Sequence, residues 1–460
     1  MDRRQFLESS LAAGIGSLLV PTFSISGETS GLKMATFRID VSPPMGHPLC
    51  GGWIKPVVGM DDPQEAIGFV LTGAGKPIVI CAVDWTGLLN EAHIAWRKAI
   101  ATAAGTTPER VAVQCIHQHN APFVCLEGEK IVSAHDDLPH IVQVDFFNEC
   151  LKRIGAAVKS AMEQLQPVTH VATSQAKVEK VAGNRRFVGE NGKIVDWRGS
   201  SSKNPRHWEL PEGLIDPWMK TVALYHNGKK VLACHYYATH PMSYYGDGRV
   251  SSDFVGLARK RRQQDEPDCT HIYFTGCSGN VAAGKYNNGT PEARLELTDR
   301  IYAAMVQGDA GLSPQPLEQV AWQTVPVHLP VREGLNEQDL LATVANPKAS
   351  TAERNRCAMR LGWLRRCARK EPVILSALHL NHATLLHLPA ESFVEYQLRA
   401  QAAAPDRFVA TAAYGDGGSW YIPVEEAFPQ GGYEVTVAFS DPPTDGILTS
   451  NSKTLVERGR

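Results

Sequence analysis

Apolar runs of strand length alternate with helically spaced stretches along most of this chain. Lys76 to Asp84 and Arg110 to His117 are apolar runs, and Asn90 to Ala104 between them repeats apolar residues at helical spacing. This order predicts a strand, a crossover helix and a second, parallel strand. Because parallel strands end at the same edge of a sheet, ligands of such folds bind at the carboxyl ends of the strands.

Other segments extend this mixture of strands and helices. Met34 to Asp40 has the pattern of a strand, Asp145 to about Gln164 that of a long helix, and Ser392 to Ala403 that of a shorter one. Asn227-Gly228 between two apolar runs predicts a β-hairpin. The predicted fold class is α/β, with mixed β-sheets flanked by helices and the functional site at the carboxyl ends of strands.

The first thirty residues differ in pattern from the rest. Arg3 and Arg4 precede Phe6-Leu7 and an apolar run that ends near Val20, which resembles a twin-arginine export signal. The alternative is a frayed amphipathic start to the fold. We therefore predict a signal and linker over residues 1–30, one folded domain over residues 31–460, and an exported protein that is periplasmic or extracellular.

The segment from about Asn336 to Lys370 combines helical spacing with many arginines. Two interpretations fit: a lid over the functional site, or a helical hairpin with a solvated basic face. The arginines concerned are Arg354, Arg356, Arg360, Arg365, Arg366 and Arg369.

Charge and cysteine content limit the function classes. The chain has 46 basic and 48 acidic residues and a net charge of -2, so no overall field favours nucleic acid or an anionic membrane. The predicted partner is a small molecule, with membrane contact at most peripheral. The ten cysteines contain no C-x-x-C pair and are interpreted as buried small hydrophobic residues, although an exported protein can oxidise some pairs.

Polar side chains with metal-binding chemistry follow several of the predicted strands. His117 and His119 form an H-x-H pair on one strand face, and His240, Glu391 and Tyr421 follow later strands. Such a pair offers two metal ligands, or one ligand and one acid/base group, because imidazole is a common zinc ligand. Chance spacing explains an isolated H-x-H pair equally well.

The motifs in this order resemble those of the neutral/alkaline non-lysosomal ceramidases. The family's H-T-H-S-G/A-P is similar to His117–Pro122, its N-R-S to Asn184–Arg186, and its histidine with a later S-S-D to His240 and Ser251–Asp253. Its G-D-V-S-P-N is similar to Gly279–Gly284 and its P-G-E to Pro389–Glu391. Its two tyrosine motifs, G-Y-I and G-Y-E, are similar to the segments around Tyr421 and Tyr433.

The resemblance implies that residues 31–460 are a ceramidase-like catalytic domain, and it implies a single zinc ion per chain. The zinc ligands that it implies are His117, His240, Glu391 and Tyr421. The catalytic residues that it implies are His119, Arg185 and Tyr433, together with Glu391, for proton transfer and oxyanion stabilisation. The expected activity is that of a metal-dependent amidohydrolase in lipid or sphingolipid metabolism, in which zinc-bound water attacks the linear amide of an N-acyl lipid or other N-acyl amine.

The sequence also departs from the family pattern. Ala282 stands where the family has the serine of G-D-V-S, and Asn280 where it has the aspartate. Two other functions therefore stay open: an esterase or carbohydrate-processing hydrolase on the same scaffold, and an inactive exported binding protein that kept its metal. For single residues, plainer roles also stay open: Glu391 as a first-turn helix carboxylate, the tyrosines as packing residues and Arg185 as an ion-pair partner.

Overall fold

The computed structural model describes residues 31–459, and the predicted export signal lies outside them. Three larger β-sheets and a set of helices make up the described part of the chain. Within it, none of the helices combines the length and the apolar character needed to cross a membrane. The α/β class predicted from the sequence is confirmed.

The first sheet contains the predicted strand, helix and strand unit. Ile78–Val83 and Val111–Cys115 pair in parallel, and the helix Glu91–Ala104 connects them. Both faces of the sheet are buried, which explains its nearly continuous apolar strands. The strand order is Val111–Cys115, Ile78–Val83, Glu65–Thr72, Lys33–Asp40, Gln166–Pro167.

The second sheet carries the predicted hairpin. Asn227 and Gly228 have φ values of +48° and +78°, the left-handed conformation that a type I′ turn requires at both positions. After the hairpin, the helix Asp253–Asp265 leads to a strand that pairs in parallel with the second hairpin strand. The strand order is Thr270–Thr275, Lys229–Tyr237, Trp218–His226, His170–Lys177, Gln315–Pro316.

The third sheet repeats this arrangement near the C-terminus. Its last two strands pair in parallel, and the helix Val394–Ala403 lies between them in the chain. The strand order is Val320–Val327, Val373–Leu380, Ala383–His387, Phe408–Ala412. Each of the three sheets thus contains one parallel strand pair.

The helices cover the outer faces of the sheets, while the first two sheets pack against each other. Glu91–Ala104 and Val144–Met162 contact the first sheet, and Asp253–Asp265 and Pro291–Ala310 contact the second. The other helices are Leu126–Val132, Pro205–Glu209, Glu337–Ala345, Thr351–Ala368, Ala427–Gln430, Tyr433–Val437 and Thr444–Glu457. Short strand pairs join the loops: Gly59–Met60 with Arg249–Val250, Gly87–Leu89 with Phe123–Cys125, Gly183–Asn184 with Val281–Ala282, Arg186–Val188 with Ile194–Trp197, and Glu391–Ser392 with Tyr421–Ile422.

Two expectations about side-chain environment have different outcomes. The ten cysteines are free thiols within the described residues, nine of them buried, as small hydrophobic residues would be. The arginine-rich segment does form a helical hairpin, Glu337–Ala345 and Thr351–Ala368. Its basic face is only partly solvated: Arg365 and Arg369 are about 40% exposed, whereas Arg354 and Arg366 are buried and bound to Asp137 and Asp416. We call Thr351–Ala368 the arginine-rich helix.

The carboxyl ends of the parallel pairs meet at one place. Cys115 N donates to Tyr414 O at 2.8 Å, Ala413 N donates to Thr275 O at 2.9 Å, and Thr275 Oγ1 donates to Ile116 O at 2.7 Å. These bonds link one strand end from each of the three sheets. The loops that follow the three strand ends therefore share a common space.

Candidate metal centre

His117 reaches this common space through an unusual backbone conformation. The first-sheet strand ends at Cys115, two residues earlier than the sequence pattern suggested, and His117 has a φ of +75°. A non-glycine residue in this region carries backbone strain, which persists only where the surrounding structure enforces it. His117 and His119 still lie close together, with ring centroids 5.0 Å apart. Their proximity results from this kink and not from strand alternation.

Backbone carbonyl groups fix the orientation of both central imidazoles. His117 Nδ1 donates to Thr86 O at 2.7 Å, and His240 Nδ1 donates to Ser278 O at 3.3 Å. Thr86 and Ser278 follow the neighbouring strand in the same parallel pair as His117 and His240, respectively. Because each Nδ1 carries the proton, each Nε2 presents a lone pair.

Three lone-pair atoms converge in the space between the sheets. His117 Nε2 lies 3.1 Å from His240 Nε2 and 3.2 Å from Glu391 Oε2, and His240 Nε2 lies 3.8 Å from the same carboxylate oxygen. All three residues are buried, and Glu391 Oε2 has no hydrogen-bond donor among the described residues. Burial, followed by the field of His117, lowers the pKa of His240 well below its usual value, so its imidazole is neutral.

This donor set fits a zinc ion. Ligand atoms about 2.0 to 2.1 Å from zinc in a tetrahedral arrangement lie about 3.3 Å from one another, close to the observed separations. Facing lone pairs with no proton between them repel, and a buried carboxylate oxygen without a donor is costly. A cation at the point of convergence removes both costs. His117, His119 and His240 also form a candidate metal-binding group by the spacing of their ring nitrogens.

Tyr421 lies beside Glu391 in a short parallel strand pair. The residues that precede them, Ala390 and Trp420, both have positive φ values, +49° and +59°. Burial, followed by the nearby Glu391 carboxylate, raises the pKa of Tyr421 well above its usual value. Strained backbone therefore aims both side chains at the same space. We use the name metal centre for His117, His240, Glu391 and Tyr421, the four zinc ligands predicted from the sequence.

Arg185 reaches the centre from the other side. Its Nη1 donates to Tyr421 Oη at 3.2 Å, and its Nε lies 3.6 Å from Glu434 Oε1. Its guanidinium lies 4.5 Å from the centre of the Trp197 ring. Burial alone lowers the pKa of Arg185, but Tyr421 and Glu434 outweigh it and the net shift is upward. Arg185 is thus a fixed, fully charged donor and not only an ion-pair partner.

His119 and Tyr433 complete the set predicted from the sequence. His119 Nδ1 is buried and has no hydrogen-bond partner among the described residues. Tyr433 is 40% exposed, and its ring lies 5.7 Å from that of Tyr421. One cavity of about 250 Å³ brings together all seven predicted site residues: His117, His119, Arg185, His240, Glu391, Tyr421 and Tyr433. Their individual roles stay predictions.

Several residues in the cavity, or in contact with the histidines that line it, carried no signal in the sequence. Ser200 lines it with a buried hydroxyl that has no partner within residues 31–459, and Arg356 lines it from the arginine-rich helix. Tyr414 stacks on His117 at 4.2 Å, and its hydroxyl lies 3.4 Å from His240 Nδ1 and 2.7 Å from Ser278 Oγ. No local motif surrounds Ser200 or Arg356; the positive φ of Tyr414 became evident only in the fold.

Ala282 and Asn280, the two positions that depart from the family pattern, are both buried. Ala282 is fully buried and pairs with Gly183 and, through a single bridge, with His240. The Asn280 side chain donates to Glu395 and accepts from Val394 N, which holds the start of the helix Val394–Ala403. The position next to His240 therefore lacks a hydroxyl, while Ser200 supplies one elsewhere in the cavity.

The fold and the centre define a class of protein: a mixed α/β chain whose three sheets converge on one histidine, carboxylate and tyrosine centre. No family model and no curated protein matches the sequence. Solved structures do match. Neutral ceramidase from Pseudomonas aeruginosa superimposes with a TM-score of 0.67 at 16% identity, over 93% of this chain and 74% of that one. A ceramidase complexed with C2 has the same TM-score at 14% identity, over 93% and 75%.

The chain therefore has the fold of the neutral ceramidases. The resemblance drawn from its motifs is confirmed at the level of the fold. At these identities the superposition defines the fold alone, so activity is argued from the centre itself.

Proposed function

We propose that this chain is a zinc-dependent hydrolase that cleaves a linear amide bond in an N-acyl lipid or another N-acyl amine. One observation carries the proposal: three buried lone-pair atoms, from His117, His240 and Glu391, face one another at 3.1 to 3.8 Å. This arrangement is unfavourable for a protein without a cation and suitable for one with a catalytic metal.

The four residues of the metal centre hold the ion in this proposal. A bound zinc supplies Lewis acidity for a carbonyl oxygen and lowers the pKa of a coordinated water towards about 7. His119, whose buried Nδ1 is free, accepts and returns a proton. Arg185, held by Glu434, stabilises the negative charge that develops on the carbonyl oxygen. Tyr433, which lines the cavity and is 40% exposed, donates a proton to the departing amine.

The size of the cavity restricts the substrate. Its volume of about 250 Å³ lies below the range of roughly 300 to 1,000 Å³ that is typical of pockets for drug-sized ligands. One wall of the cavity is aromatic and consists of Trp53, Phe123 and Trp420. The ring centroid of Trp420 lies 4.9 Å from that of Phe123 and 5.9 Å from that of Trp53. A short acyl group fits this space, whereas the long chain of a ceramide would extend beyond it.

Ala282 favours a second candidate, an inactive exported binding protein that holds the metal without turnover. The hydroxyl that the family carries at this position is absent here. An esterase or carbohydrate-processing hydrolase is the alternative within enzymes. Hydrolysis by an activated water does not itself require the serine, which is why we favour the amidohydrolase.

Metal analysis combined with a substrate panel tests the proposal. We expect about one zinc per chain by mass spectrometry, loss of turnover after treatment with 1,10-phenanthroline, and recovery when zinc is restored. The panel compares N-hexanoyl amines, the matching hexanoyl esters and aryl glycosides. Protein with full zinc that hydrolyses none of them would favour the binding protein, and protein without zinc would refute the metal centre.

His119→Ala and Tyr433→Phe separate chemistry from metal binding. Because neither residue is assigned as a ligand, both variants should keep stoichiometric zinc while kcat falls by about 10²-fold or more, as expected for loss of a proton-transfer group. The exposed His140, which contacts Glu129 and is not among the residues that line the cavity, gives a control in His140→Ala. Normal turnover in both active-site variants would show that the assigned roles are wrong.

We also propose export through the segment that contains Arg3 and Arg4. The paired arginines before an apolar run support this proposal. Replacement of both by lysine should retain the protein in the cytoplasm, as measured by cell fractionation. Unchanged distribution of the double variant would contradict it.

A further inference from the structure

Arg356, on the arginine-rich helix, extends into the cavity of the metal centre without a charged partner. Its side chain lines the cavity, and its guanidinium lies 5.8 Å from the centre of the Trp420 ring. Its Nε is buried without a hydrogen-bond acceptor, and no ion pair involves it within residues 31–459. A buried guanidinium nitrogen left unpaired costs free energy, and a ring contact at this distance offsets little of it.

Other arginines of the same segment are paired with carboxylates. Arg354 binds Asp137 at 2.6 Å, Arg365 binds Glu337 at 2.6 Å, and Arg366 binds Asp416 at 2.6 Å. Arg369, just after the helix, lies 3.1 Å from Glu371. Arg356 therefore differs from these four arginines in having no carboxylate partner.

A second arginine increases the positive charge at this position. Arg360 lies one helical turn after Arg356 and has no ion pair in the described part of the chain; it donates to Thr436 O at 3.2 Å, and its guanidinium lies 5.1 Å from the centre of the Phe439 ring. Like charges at this spacing destabilise a helix. Burial is the main cause that lowers the pKa of Arg360, and Arg356 lowers it further. The helix therefore holds two adjacent guanidinium groups with no counter-charge.

The rest of the cavity does not supply the counter-charge. Glu391 is the only carboxylate among the residues that line it, and it faces the two imidazoles of the metal centre. Arg185, the other cation of the lining, is already paired with Glu434. Since no carboxylate within residues 31–459 pairs with Arg356, we look to a ligand for the negative charge.

We propose that Arg356 binds an anionic group of the substrate, a carboxylate, sulfonate or phosphate, so that the enzyme acts on acidic N-acyl amines in preference to neutral ones. The preference in turnover rests on the proposed hydrolase function. Recognition of the anion is a separate property of the cavity. A planar guanidinium with free donors suits such a group because it can bind two of its oxygens at once.

Three probes test the inference: N-hexanoylglycine, the neutral N-hexanoylglycinamide, which differs from it only in the terminal group, and N-hexanoyltaurine, which carries a sulfonate on a spacer one methylene longer. We expect wild-type kcat/KM to be at least tenfold higher for one or both acidic probes than for the neutral one. The probe with the larger advantage distinguishes carboxylate from sulfonate recognition. Arg356→Gln should remove the advantage without lowering kcat/KM for the neutral probe by more than about twofold, and Arg356→Lys should restore part of it.

Arg365→Gln provides the matched control, because Arg365 lies on the same helix but is 41% exposed and paired with Glu337. It should keep the full preference. Thermal unfolding of each variant establishes that it is folded. Equal wild-type kcat/KM values for all three probes, or an equal loss on acidic and neutral probes in Arg356→Gln, would overturn the inference.

Calorimetric binding of the same probes separates this inference from the proposed function. If no probe is hydrolysed, the hydrolase fails. The anion site still stands if wild-type protein binds N-hexanoylglycine or N-hexanoyltaurine at least tenfold more tightly than the glycinamide and Arg356→Gln loses that difference. Equal binding of all three probes by wild-type protein in that case would overturn the anion site as well.

Discussion

The described residues include two buried histidine clusters, which differ in how their ring nitrogens are arranged. In the metal centre, both Nδ1 atoms donate to carbonyl groups and both Nε2 lone pairs face a carboxylate. The other cluster, which we call the second-sheet cluster, forms a chain of donors and acceptors instead. Its members are Thr221, His235, His271, Glu266 and Asp309.

In the second-sheet cluster each ring nitrogen has a partner. Thr221 Oγ1 lies 3.0 Å from His235 Nδ1, His235 Nε2 lies 3.0 Å from His271 Nδ1, and His271 Nε2 lies 3.2 Å from Glu266. Donor and acceptor alternate along this chain, so neither imidazole is left with an unmatched ring nitrogen.

Two positively charged side chains also lie beside the second-sheet cluster. Arg262 and Lys230 lie 2.6 Å and 3.2 Å from the carboxylate oxygens of Asp309, and both contact Glu266 at 2.8 Å. A metal ion there would face two positive charges and carboxylates that are already neutralised. The comparison shows that residue types alone do not define a metal site. The direction of the lone pairs and the local charge balance decide between a ligand set and a structural network.

The largest contrast is expected when one histidine is removed from each cluster. His240→Ala should lose zinc and lower kcat/KM by about 10³-fold or more, because the metal contributes several kcal/mol to the transition state. Its fold should remain, since the variant loses one buried side chain and its hydrogen bond to Ser278 O, a cost of a few kcal/mol. His235→Ala should keep zinc and activity but lower the free energy of unfolding by about 2 kcal/mol, because His271 Nδ1 loses its donor. Metal analysis, kinetics and denaturant unfolding measure the three quantities, and full zinc occupancy in His240→Ala would refute the ligand set.

The arginine of each cluster gives the next contrast. Arg185→Gln should lower kcat/KM by about 10²-fold to 10³-fold with zinc retained, the usual effect of removing a donor to a developing oxyanion. Arg262→Gln should leave kcat/KM unchanged and lower the free energy of unfolding by about 3 kcal/mol, because it breaks a buried ion pair with Asp309. If instead Arg185→Gln affected only stability, Arg185 would be a structural partner of Glu434.

Acid should lower the stability of the folded protein by protonating the histidines of the second-sheet cluster. Burial is the main cause that lowers the pKa of His235 to about 3 and that of His271 to about 4, against 6.5 for a free imidazole. The unfolded chain therefore binds protons more readily between about pH 6.5 and 4, and stability falls as the pH decreases through that window. Each unit of pKa difference is worth about 1.4 kcal/mol.

His271→Gln tests this linkage. The variant should lose less stability than wild-type protein between pH 7 and 4.5, as measured by urea unfolding at several pH values. Other buried histidines, such as His93 and His387, provide the remaining dependence in both proteins. An identical pH dependence in the variant would place the cause outside the second-sheet cluster.

The sequence predicted the parts of the fold and the site that depend on local pattern. The parallel unit from Ile78 to Cys115 and the turn at Asn227 followed from apolar periodicity and turn chemistry. The seven site residues followed from motif order, because strand ends were expected to converge. The left-handed conformation of His117 was not predictable, since it results from contacts between three sheets that are distant in sequence.

Other features escaped prediction for the same reason. The free hydroxyl of Ser200 and the unpaired guanidinium of Arg356 are defined by what is absent around them, which only the packed structure reveals. The arginine-rich segment carried a strong local pattern and forms a helical hairpin, but its basic face is only partly solvated, because Asp137 and Asp416 come from distant loops and bind two of its arginines. Sequence pattern therefore predicted elements well and charge pairing poorly.

The smallest contrast concerns the hydroxyl groups that contact one histidine in each cluster. Tyr414→Phe removes the hydroxyl 3.4 Å from His240 Nδ1 but keeps the ring stacked on His117. We expect zinc affinity to fall by about tenfold, the lower end of the effect of groups that orient a ligand, with kcat nearly unchanged at saturating zinc. Thr221→Val, which has nearly the same shape, should lower the free energy of unfolding by about 1 kcal/mol and leave zinc affinity unchanged, because only a hydrogen bond to His235 is lost. Competition with a fluorescent chelator measures the affinities. A fall in zinc affinity in Thr221→Val equal to that in Tyr414→Phe would mean that the two clusters are coupled and that their separation into a metal centre and a structural network is wrong.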